Sequence, residues 1–135
     1  MKKFSYFIIL VAIHLLYGCS DNTNSLEVTA TAYTSNPKET DSTPSLAAWG
    51  DTLKPGMKVI AVSKDLIKMG LSHGVDVSID GIHVSIDGIE GKYKVLDKMH
   101  NKWRRKIDIY MGKDIEKAKE WGKRKVIIRW VSEPT

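Results

Sequence analysis

Tyr93-Lys94-Val95-Leu96-Asp97 and Ile107-Asp108-Ile109-Tyr110 both carry the alternation of apolar and polar side chains that is typical of β-strands. Asp97 ends the first predicted strand, and Asp108 lies inside the second. Because successive side chains of a strand point to opposite faces, Asp108 faces away from its isoleucine neighbours. Two interpretations are open here. The Asp108 carboxyl either faces solvent, as carboxyls usually do, or belongs to a site together with Asp97.

Strand signals recur on both sides of this pair, and two short stretches have helical spacing. Outside the repeat described below, the predicted strands lie at 26–34, 57–62, 92–97, 107–110 and 125–131. Ser63 precedes one short helical turn at 64–69 as a candidate N-cap, and Gly122 ends a helix at 113–121. About six or seven strands with two small helices predict a mostly β protein built as a barrel.

A tandem repeat interrupts this pattern. Val77-Ser78-Ile79-Asp80-Gly81-Ile82-His83 is followed directly by Val84-Ser85-Ile86-Asp87-Gly88-Ile89-Glu90. Two copies are too few for a solenoid, which needs at least three stacked units. Each copy alternates and then offers Asp-Gly, a hairpin-turn dipeptide, so the repeat predicts two short strands joined around Asp80-Gly81.

The first residues have the layout of a secretory signal. Lys2 and Lys3 precede an apolar run at 4–17, which is shorter than the roughly 20 residues needed to cross a bilayer. Leu16-Tyr17-Gly18-Cys19 resembles a bacterial lipobox, and Cys19 is the only cysteine of the sequence. The alternative is a buried free thiol in a cytosolic protein. We expect a signal peptide at 1–18 and a chain exported and anchored to a membrane through lipidated Cys19.

The polar stretch that follows predicts a tether at 19–26, which leads into a single domain at 27–132. The formal charge of +5 includes the two lysines of the signal, and the remaining excess is concentrated near residues 102–106 and 123–125. Such clusters are either solvated faces or contacts for anionic partners. Outside the cytoplasm these partners are anionic glycans, peptidoglycan carboxylates or lipid headgroups, and nucleic acid is not expected.

Several chemistries find no support in the sequence. It has no Ser/His/Asp order, no His-rich metal spacing and no Gly-rich phosphate loop. The aspartates of the tandem repeat lack the ligand spacing and the closing glutamate of an EF-hand. We therefore expect no metal and no cofactor.

Several ordered motifs together resemble the 3D (three-aspartate) domain, which is similar to the catalytic region of membrane-bound lytic transglycosylase A. The resemblance spans residues 28–130. It implies a six-stranded double-psi β-barrel with one or two short helices. Its motifs are Val28-Thr29-Ala30-Thr31-Ala32-Tyr33, Lys54-Pro55-Gly56, Ile60-Ala61-Val62, Lys68-Met69-Gly70, Tyr93-Lys94-Val95-Leu96-Asp97, Ile107-Asp108-Ile109-Tyr110 and Ala118-Lys119-Glu120-Trp121-Gly122.

The resemblance implies a function as well as a fold. It makes Asp108 the catalytic acid, with Asp97 beside it. The reaction would cleave the β-1,4 bond between N-acetylmuramic acid and N-acetylglucosamine in peptidoglycan glycan strands, with a 1,6-anhydro product. For lipoproteins of two-membraned bacteria, Ser20 after Cys19 would imply the outer membrane, facing the periplasm.

A catalytic acid of this kind needs an unusual environment. An aspartate with an ordinary pKa near 3.9 is under 0.1% protonated at pH 7, so the pKa of Asp108 must lie about two to three higher. Like-charge coupling to Asp97 would raise it. Arg104, Arg105 and Lys106 would lower it, so we expect them to point away from Asp108 and toward substrate carboxylates.

Aromatic residues are the remaining candidates for substrate binding. Tyr33, Trp49 and Trp103 would stack on sugar rings, with Arg104 as a further substrate contact, and core packing is the alternative for each aromatic ring. Trp121 and Trp130 are expected in the core.

Two departures from the 3D pattern support a second hypothesis. Ser63 stands where the first aspartate is expected, with Asp65 two places later, and Asp97-Lys98-Met99-His100 replaces the usual Asp-Thr-Gly-Gly turn. The second hypothesis is a non-catalytic glycan-binding or envelope-structural lipoprotein.

Overall fold

The computed structural model of this chain describes residues 22–37, 45–82 and 88–133. The predicted signal peptide and the predicted lipidation site Cys19 lie outside these residues. The elements in chain order are β1 (Thr23–Tyr33), β2 (Val59–Val62), α1 (Lys64–Lys68), β3 (Asp76–Asp80), β4 (Gly91–Lys98), β5 (Lys106–Tyr110), α2 (Ile115–Trp121) and β6 (Arg124–Val131).

The six strands close into a barrel in the order β1-β5-β2-β4-β3-β6. The pairs β1–β5 and β2–β4 are parallel, and the other four pairs are antiparallel. Parallel neighbours cannot be joined by a tight turn, so the chain crosses the barrel between them. This closed, mixed barrel with two short helices confirms the predicted six-stranded double-psi β-barrel.

The alternation of the strands fills the barrel interior. Each strand turns β-branched side chains inward, among them Val28, Ile107 and Ile128, which are fully buried. Trp121 and Trp130 also lie in this core, as predicted, and the Trp121 indole N–H donates to the backbone oxygen of Ala30 at 3.2 Å. This hydrogen bond joins the end of α2 to β1 at the level of the core.

The helix predicted at 113–121 corresponds to α2. Asp114 occupies the N-cap position, where its carboxylate accepts a hydrogen bond of 3.0 Å from the Lys117 backbone N–H. Gly122 ends the helix with a φ of 63°, which a residue with a side chain rarely adopts. The helix packs against β1.

The start of β1 corrects the predicted boundary of the tether at 19–26. β1 begins at Thr23, which pairs with Val131 of β6, and the antiparallel pairing continues through Leu26. Residues 23–26 therefore belong to the barrel, because the end of β6 offers them backbone hydrogen-bond partners.

The first copy of the tandem repeat is not paired with the second in the predicted hairpin around Asp80-Gly81. This first copy supplies most of β3, whose edges are occupied by β4 on one side and by β6 on the other. The second copy therefore cannot pair beside Val77–Ile79, and it lies in the connection between β3 and β4. Residues 83–87 of this connection are outside the described part.

In residues 22–37, 45–82 and 88–133, no helix combines the length and the apolar character that a membrane span requires.

Candidate active site

Asp97 and Asp108 meet at one position of the barrel wall, on either side of β2. Ala61 of β2 pairs with Asp108 of β5 and also with Asp97 of β4. On β4 the pairing steps from Val95 to Asp97 while β2 advances by one residue, from Ile60 to Ala61. This β-bulge turns Asp97 to the face on which it lines a common cavity with Asp108.

Asp97 is held by three hydrogen bonds. Its Oδ1 accepts from the backbone N–H groups of Ala48 at 2.7 Å and Lys98 at 2.9 Å, and its Oδ2 accepts from the Tyr33 hydroxyl at 3.1 Å. Charge-assisted hydrogen bonds of this kind hold a carboxylate in one orientation. Asp97 therefore also fastens the 45–53 loop to the barrel.

The Asp108 carboxyl lies in a less polar environment than the Asp97 carboxyl. Burial raises its pKa from an ordinary 3.8 to about 6, against the lowering effects of a hydrogen bond from Thr31 and of the charge on Lys106. The Thr31 hydroxyl donates to Oδ1 at 3.0 Å. The charge on Asp97 raises the pKa further, but it is a smaller cause than burial. The expected elevation is present, and burial rather than coupling to Asp97 is its main origin.

Tyr33 contributes a hydroxyl that stays protonated. Burial, followed by the charge of Asp97 and the hydrogen bond to it, raises the pKa of Tyr33 far above its ordinary value. The ring packs against Tyr110 with 5.5 Å between centroids, and the Tyr110 hydroxyl lies 2.7 Å from the buried Ser35 hydroxyl. These contacts hold the Tyr33 ring in the position from which its hydroxyl donates to Asp97.

The two aspartates open into a cavity of about 230 Å³. Tyr33, Trp103 and His100 lie in its wall, and the other lining residues are Ala61, Asp97, Lys98, Met99 and Asp108. Trp103 is 37% exposed, which leaves part of its ring open to a ligand. Sequence-predicted Tyr33 and Trp103 are thus both brought together with the two aspartates.

Lys106 departs from the expectation that the basic cluster points away from Asp108. Its Nζ lies 3.5 Å from the centroid of the Trp103 ring, and its charge lowers the pKa of Asp108. The expectation is therefore wrong for Lys106. Its place at the start of β5, two residues before Asp108, puts both side chains on the same face of the strand.

Arg104 does not line the cavity. Its guanidinium donates to the backbone oxygens of Asn101 and Trp103, within its own loop. The side chain is exposed, and it stabilises the turn that presents Trp103.

Trp49 lies in a neighbouring groove instead of the cavity itself. The groove has a volume of about 410 Å³ and shares Lys98 and Met99 with the cavity. The Trp49 ring packs between Lys98, whose Nζ is 5.1 Å from its centroid, and the His73 ring at 5.3 Å. His73 is held in turn by Asp51 at 2.6 Å.

Ser63 and Asp65 act on the backbone that leads into β5. Ser63 is fully buried, and its hydroxyl accepts a hydrogen bond of 3.1 Å from the Lys106 N–H, so it makes no N-cap bond to α1. Asp65 accepts from the Arg105 N–H at 2.9 Å, where Arg105 adopts a φ of 49°. Neither side chain lines the cavity.

Two contributors to the site escaped sequence reasoning: Thr31 and the Ala48 backbone. Thr31 had a usable signal, because it lies two residues before Tyr33 in one strand and therefore shares its face. The Ala48 N–H had no such signal, because the fold of the 45–53 loop brings it to Asp97.

Within the described ranges, no group of three His, Cys, Asp or Glu side chains could hold a metal ion. The chemistry available is that of one half-buried carboxyl, a second fixed carboxylate, a tyrosine hydroxyl and nearby cations. Such a set suits proton transfer to and from a bound substrate.

Comparison with known proteins supports the fold. No protein-family profile and no curated protein matches the chain. Among solved structures it is similar to an apo expansin of Clavibacter michiganensis, at 16% identity and a TM-score of 0.52. That alignment covers 83% of this chain and 52% of the expansin, so the chain spans about half of that protein. The chain is also similar to a Streptomyces papain inhibitor, at 18% identity and a TM-score of 0.52, over 82% of this chain and 96% of the inhibitor. At these identities the likeness shows a shared double-psi β-barrel fold.

Proposed function

We propose that this chain is a lytic transglycosylase-like enzyme that cleaves the β-1,4 bond between N-acetylmuramic acid and N-acetylglucosamine in peptidoglycan. The observation that carries the proposal is Asp108, a carboxyl with a pKa near 6 that opens into a cavity beside Tyr33 and Trp103. The ordered motifs that resemble the 3D domain give the same assignment for Asp108.

The protonation state of Asp108 suits a general acid. A carboxyl with a pKa of about 6 is roughly a tenth protonated at pH 7, whereas one at its ordinary value is less than 0.1% protonated. Catalytic acids work best when their pKa lies near the working pH, because both proton donation and proton acceptance are then accessible. Burial of Asp108 supplies this match.

In the proposed reaction one carboxyl acts twice. The Asp108 hydroxyl donates its proton to the glycosidic oxygen while the bond from that oxygen to the muramoyl anomeric carbon breaks. The resulting Asp108 carboxylate then accepts the proton of the muramoyl 6-hydroxyl, whose oxygen bonds to the anomeric carbon. The products are a free 4-hydroxyl on N-acetylglucosamine and a 1,6-anhydromuramoyl end. No water is consumed, and Asp108 returns to its protonated form.

Asp97 has a supporting role in this scheme. Its oxygens are engaged by Tyr33, Ala48 and Lys98, so it is not free to act as a nucleophile. Its negative charge faces the positive charge that develops at the anomeric carbon, and it adds to the elevated pKa of Asp108. Hydrolases that use two carboxylates need the second one free for water or for covalent attack.

One observation favours a non-catalytic glycan-binding lipoprotein as the second candidate. Ser63, which takes the place of the first of the three aspartates, is buried and bonded to the backbone of Lys106, so that position sends no carboxyl into the cavity. A barrel of this kind would keep the aromatic wall formed by Tyr33 and Trp103 for sugar binding without turnover.

The reaction class is testable through its product. Purified sacculi are digested with the protein in water labelled with ¹⁸O, and the released muropeptides are analysed by mass spectrometry. The proposal predicts 1,6-anhydromuramoyl ends without the label. Labelled reducing ends would identify a hydrolase instead, and binding to sacculi without any release would support the glycan-binding candidate.

We also propose that the chain works at the cell envelope, as an exported protein anchored through lipidated Cys19. The proposal rests on the lipobox-like sequence that ends at Cys19 and on Ser20 after it. Cys19→Ser should leave an unlipidated precursor, and the wild type should fractionate with the outer membrane. Recovery of the wild type in a soluble fraction would contradict the anchor, and recovery with the inner membrane would contradict the sorting.

A further inference from the structure

We infer that the groove beside the cavity is a subsite for a sugar unit that carries a carboxylate, so that the protein selects anionic glycan strands over neutral ones. This inference rests on the proposed function and adds a substrate preference to it. The groove is lined by Trp49, Ile67, Met99, Asn101 and three lysines, Lys64, Lys68 and Lys98.

The groove and the cavity are neighbours that share part of their lining. Lys98 and Met99 line both, and Lys98 directly follows Asp97 in β4. A glycan strand whose scissile bond lies at Asp108 therefore has its neighbouring sugars within reach of the groove. The volumes of about 230 Å³ and 410 Å³ accommodate consecutive sugar units.

The charge of the groove is uncompensated. Its lining contains three lysines and no carboxylate, and in the described part of the chain none of these lysines lies within 4.0 Å of an acidic oxygen. Other lysines differ in this respect, since Lys94 pairs with Asp76 at 2.9 Å. All three groove lysines are exposed, so their ammonium groups are available to a ligand.

Trp49 gives the groove an apolar wall and fixes one of its cations. Its ring holds Lys98 by a cation–π contact of 5.1 Å, while His73, itself bonded to Asp51, supports the ring from elsewhere. Ile67 and Met99 extend the apolar surface. An apolar wall with ammonium groups along it suits a pyranose ring that bears a carboxylate.

Muramoyl units carry such a group and chitin sugars do not. In a strand free of peptides the carboxylate is that of the lactyl ether, and in a peptide-bearing strand it belongs to the stem peptide. Both sources present the same chemistry to the lysines, and the experiment below distinguishes them.

The test measures binding in the full chain with the Asp108→Asn substitution, which prevents consumption of the ligand. Dissociation constants are measured for three probes: peptide-free glycan oligosaccharides, the same oligosaccharides with stem peptides, and a chitooligosaccharide of equal length. The Lys64→Gln/Lys68→Gln double variant, whose two lysines line the groove and not the cavity, is compared with Lys123→Gln/Lys125→Gln, which removes the same charge at exposed positions outside the groove.

The inference predicts that the groove variant binds the anionic strands about ten-fold more weakly, at roughly three-fold for each exposed cation removed. Its affinity for the chitooligosaccharide should not change, and the control variant should behave like its parent. Selective weakening toward the peptide-free strands assigns the lactyl carboxylate, and weakening toward the peptide-bearing strands alone assigns the stem peptide.

Equal weakening by both double variants, or equal binding of the anionic and neutral probes by the parent, would overturn the inference. These outcomes are separate from a failure of the proposed function. If the protein prefers anionic strands through its groove lysines but releases no anhydro product, the subsite is supported and the proposed enzymatic function is contradicted. Release of the anhydro product without a lysine-dependent preference would support the proposed function and contradict the subsite.

Discussion

Replacing Asp108 by Asn should change the pH dependence of stability in a defined direction. The pKa of Asp108 is about 6 in the folded protein and close to 3.8 when the chain is unfolded. A group whose pKa is raised by folding stabilises the native state fully below the unfolded value. That contribution is lost as the pH rises through the folded value.

The size of the effect follows from the two pKa values. A difference of about two corresponds to roughly 3 kcal/mol, because each tenfold step in proton affinity is worth about 1.4 kcal/mol. Partial solvent access to Asp108 reduces this to about 1 to 3 kcal/mol. Asparagine removes the half-buried charge at high pH and keeps an oxygen that accepts the Thr31 hydrogen bond.

The assay is a pair of thermal unfolding curves at pH 4 and pH 8. For a domain of this size, about 2 kcal/mol corresponds to roughly 5 to 10 °C in melting temperature. Asp108→Asn should therefore melt near the wild type at pH 4 and higher than the wild type by that margin at pH 8.

Asp76→Asn is a control for which the pH trend is the opposite: this variant should lose stability relative to the wild type as the pH rises. Its hydrogen bond to Lys94 and the Lys94 charge lower the pKa of Asp76, so the wild type gains stability from this carboxylate as the pH rises. The argument from burial would be refuted if the melting temperatures of wild type and Asp108→Asn differed by the same amount at pH 4 and pH 8. It would also be refuted if the variant melted lower at both.

Three further changes test other parts of the structure. Tyr33→Phe removes the hydroxyl that donates to Asp97, and we expect a loss of about 1 to 2 kcal/mol in chemical denaturation together with slower turnover; an unchanged unfolding midpoint would contradict the role of this bond. Asp65→Ala frees the Arg105 N–H and should cost about 1 to 2 kcal/mol, whereas Asp65→Asn, which keeps an acceptor, should recover most of it; equal losses would mean that the hydrogen bond is unimportant. Deletion of residues 84–90 removes Ile89, which lies in the core, but leaves Ile82 at the equivalent position before β4 and both edges of β3 paired. It should therefore cost less than about 3 kcal/mol, and a larger loss would show that the second copy is integral to the barrel.

The barrel could be predicted from the sequence because apolar and polar residues alternate clearly along its strands. Val28, Ile107 and Ile128 lie at the inward positions that the period of two assigns to them, and Gly122 ends α2 where its lack of a side chain allows a positive φ. The hairpin prediction for the tandem repeat was wrong because Asp-Gly dipeptides indicate only a local turn preference. The choice of β4 and β6 as partners of β3 is made by the whole barrel.

The site was accessible only in part. Asp97, Asp108 and Tyr33 stand in recognisable strand motifs, and the structure brings them together around Ala61. The separation of Trp49 into its own groove depends on how the 45–53 loop folds back onto Asp97. Such contacts between residues distant in sequence leave no local pattern, so sequence reasoning could not find them.

The most direct test of the central claim is the release of 1,6-anhydromuropeptides from purified sacculi by wild type and by Asp108→Asn, with folding of both verified by thermal unfolding. The account predicts that the wild type releases the anhydro product and that Asp108→Asn is slower by at least the factor of about 10² to 10⁴ supplied by general acid–base catalysis. Undiminished release by the folded Asp108→Asn variant would contradict the assignment of Asp108 as the acid and base of the reaction.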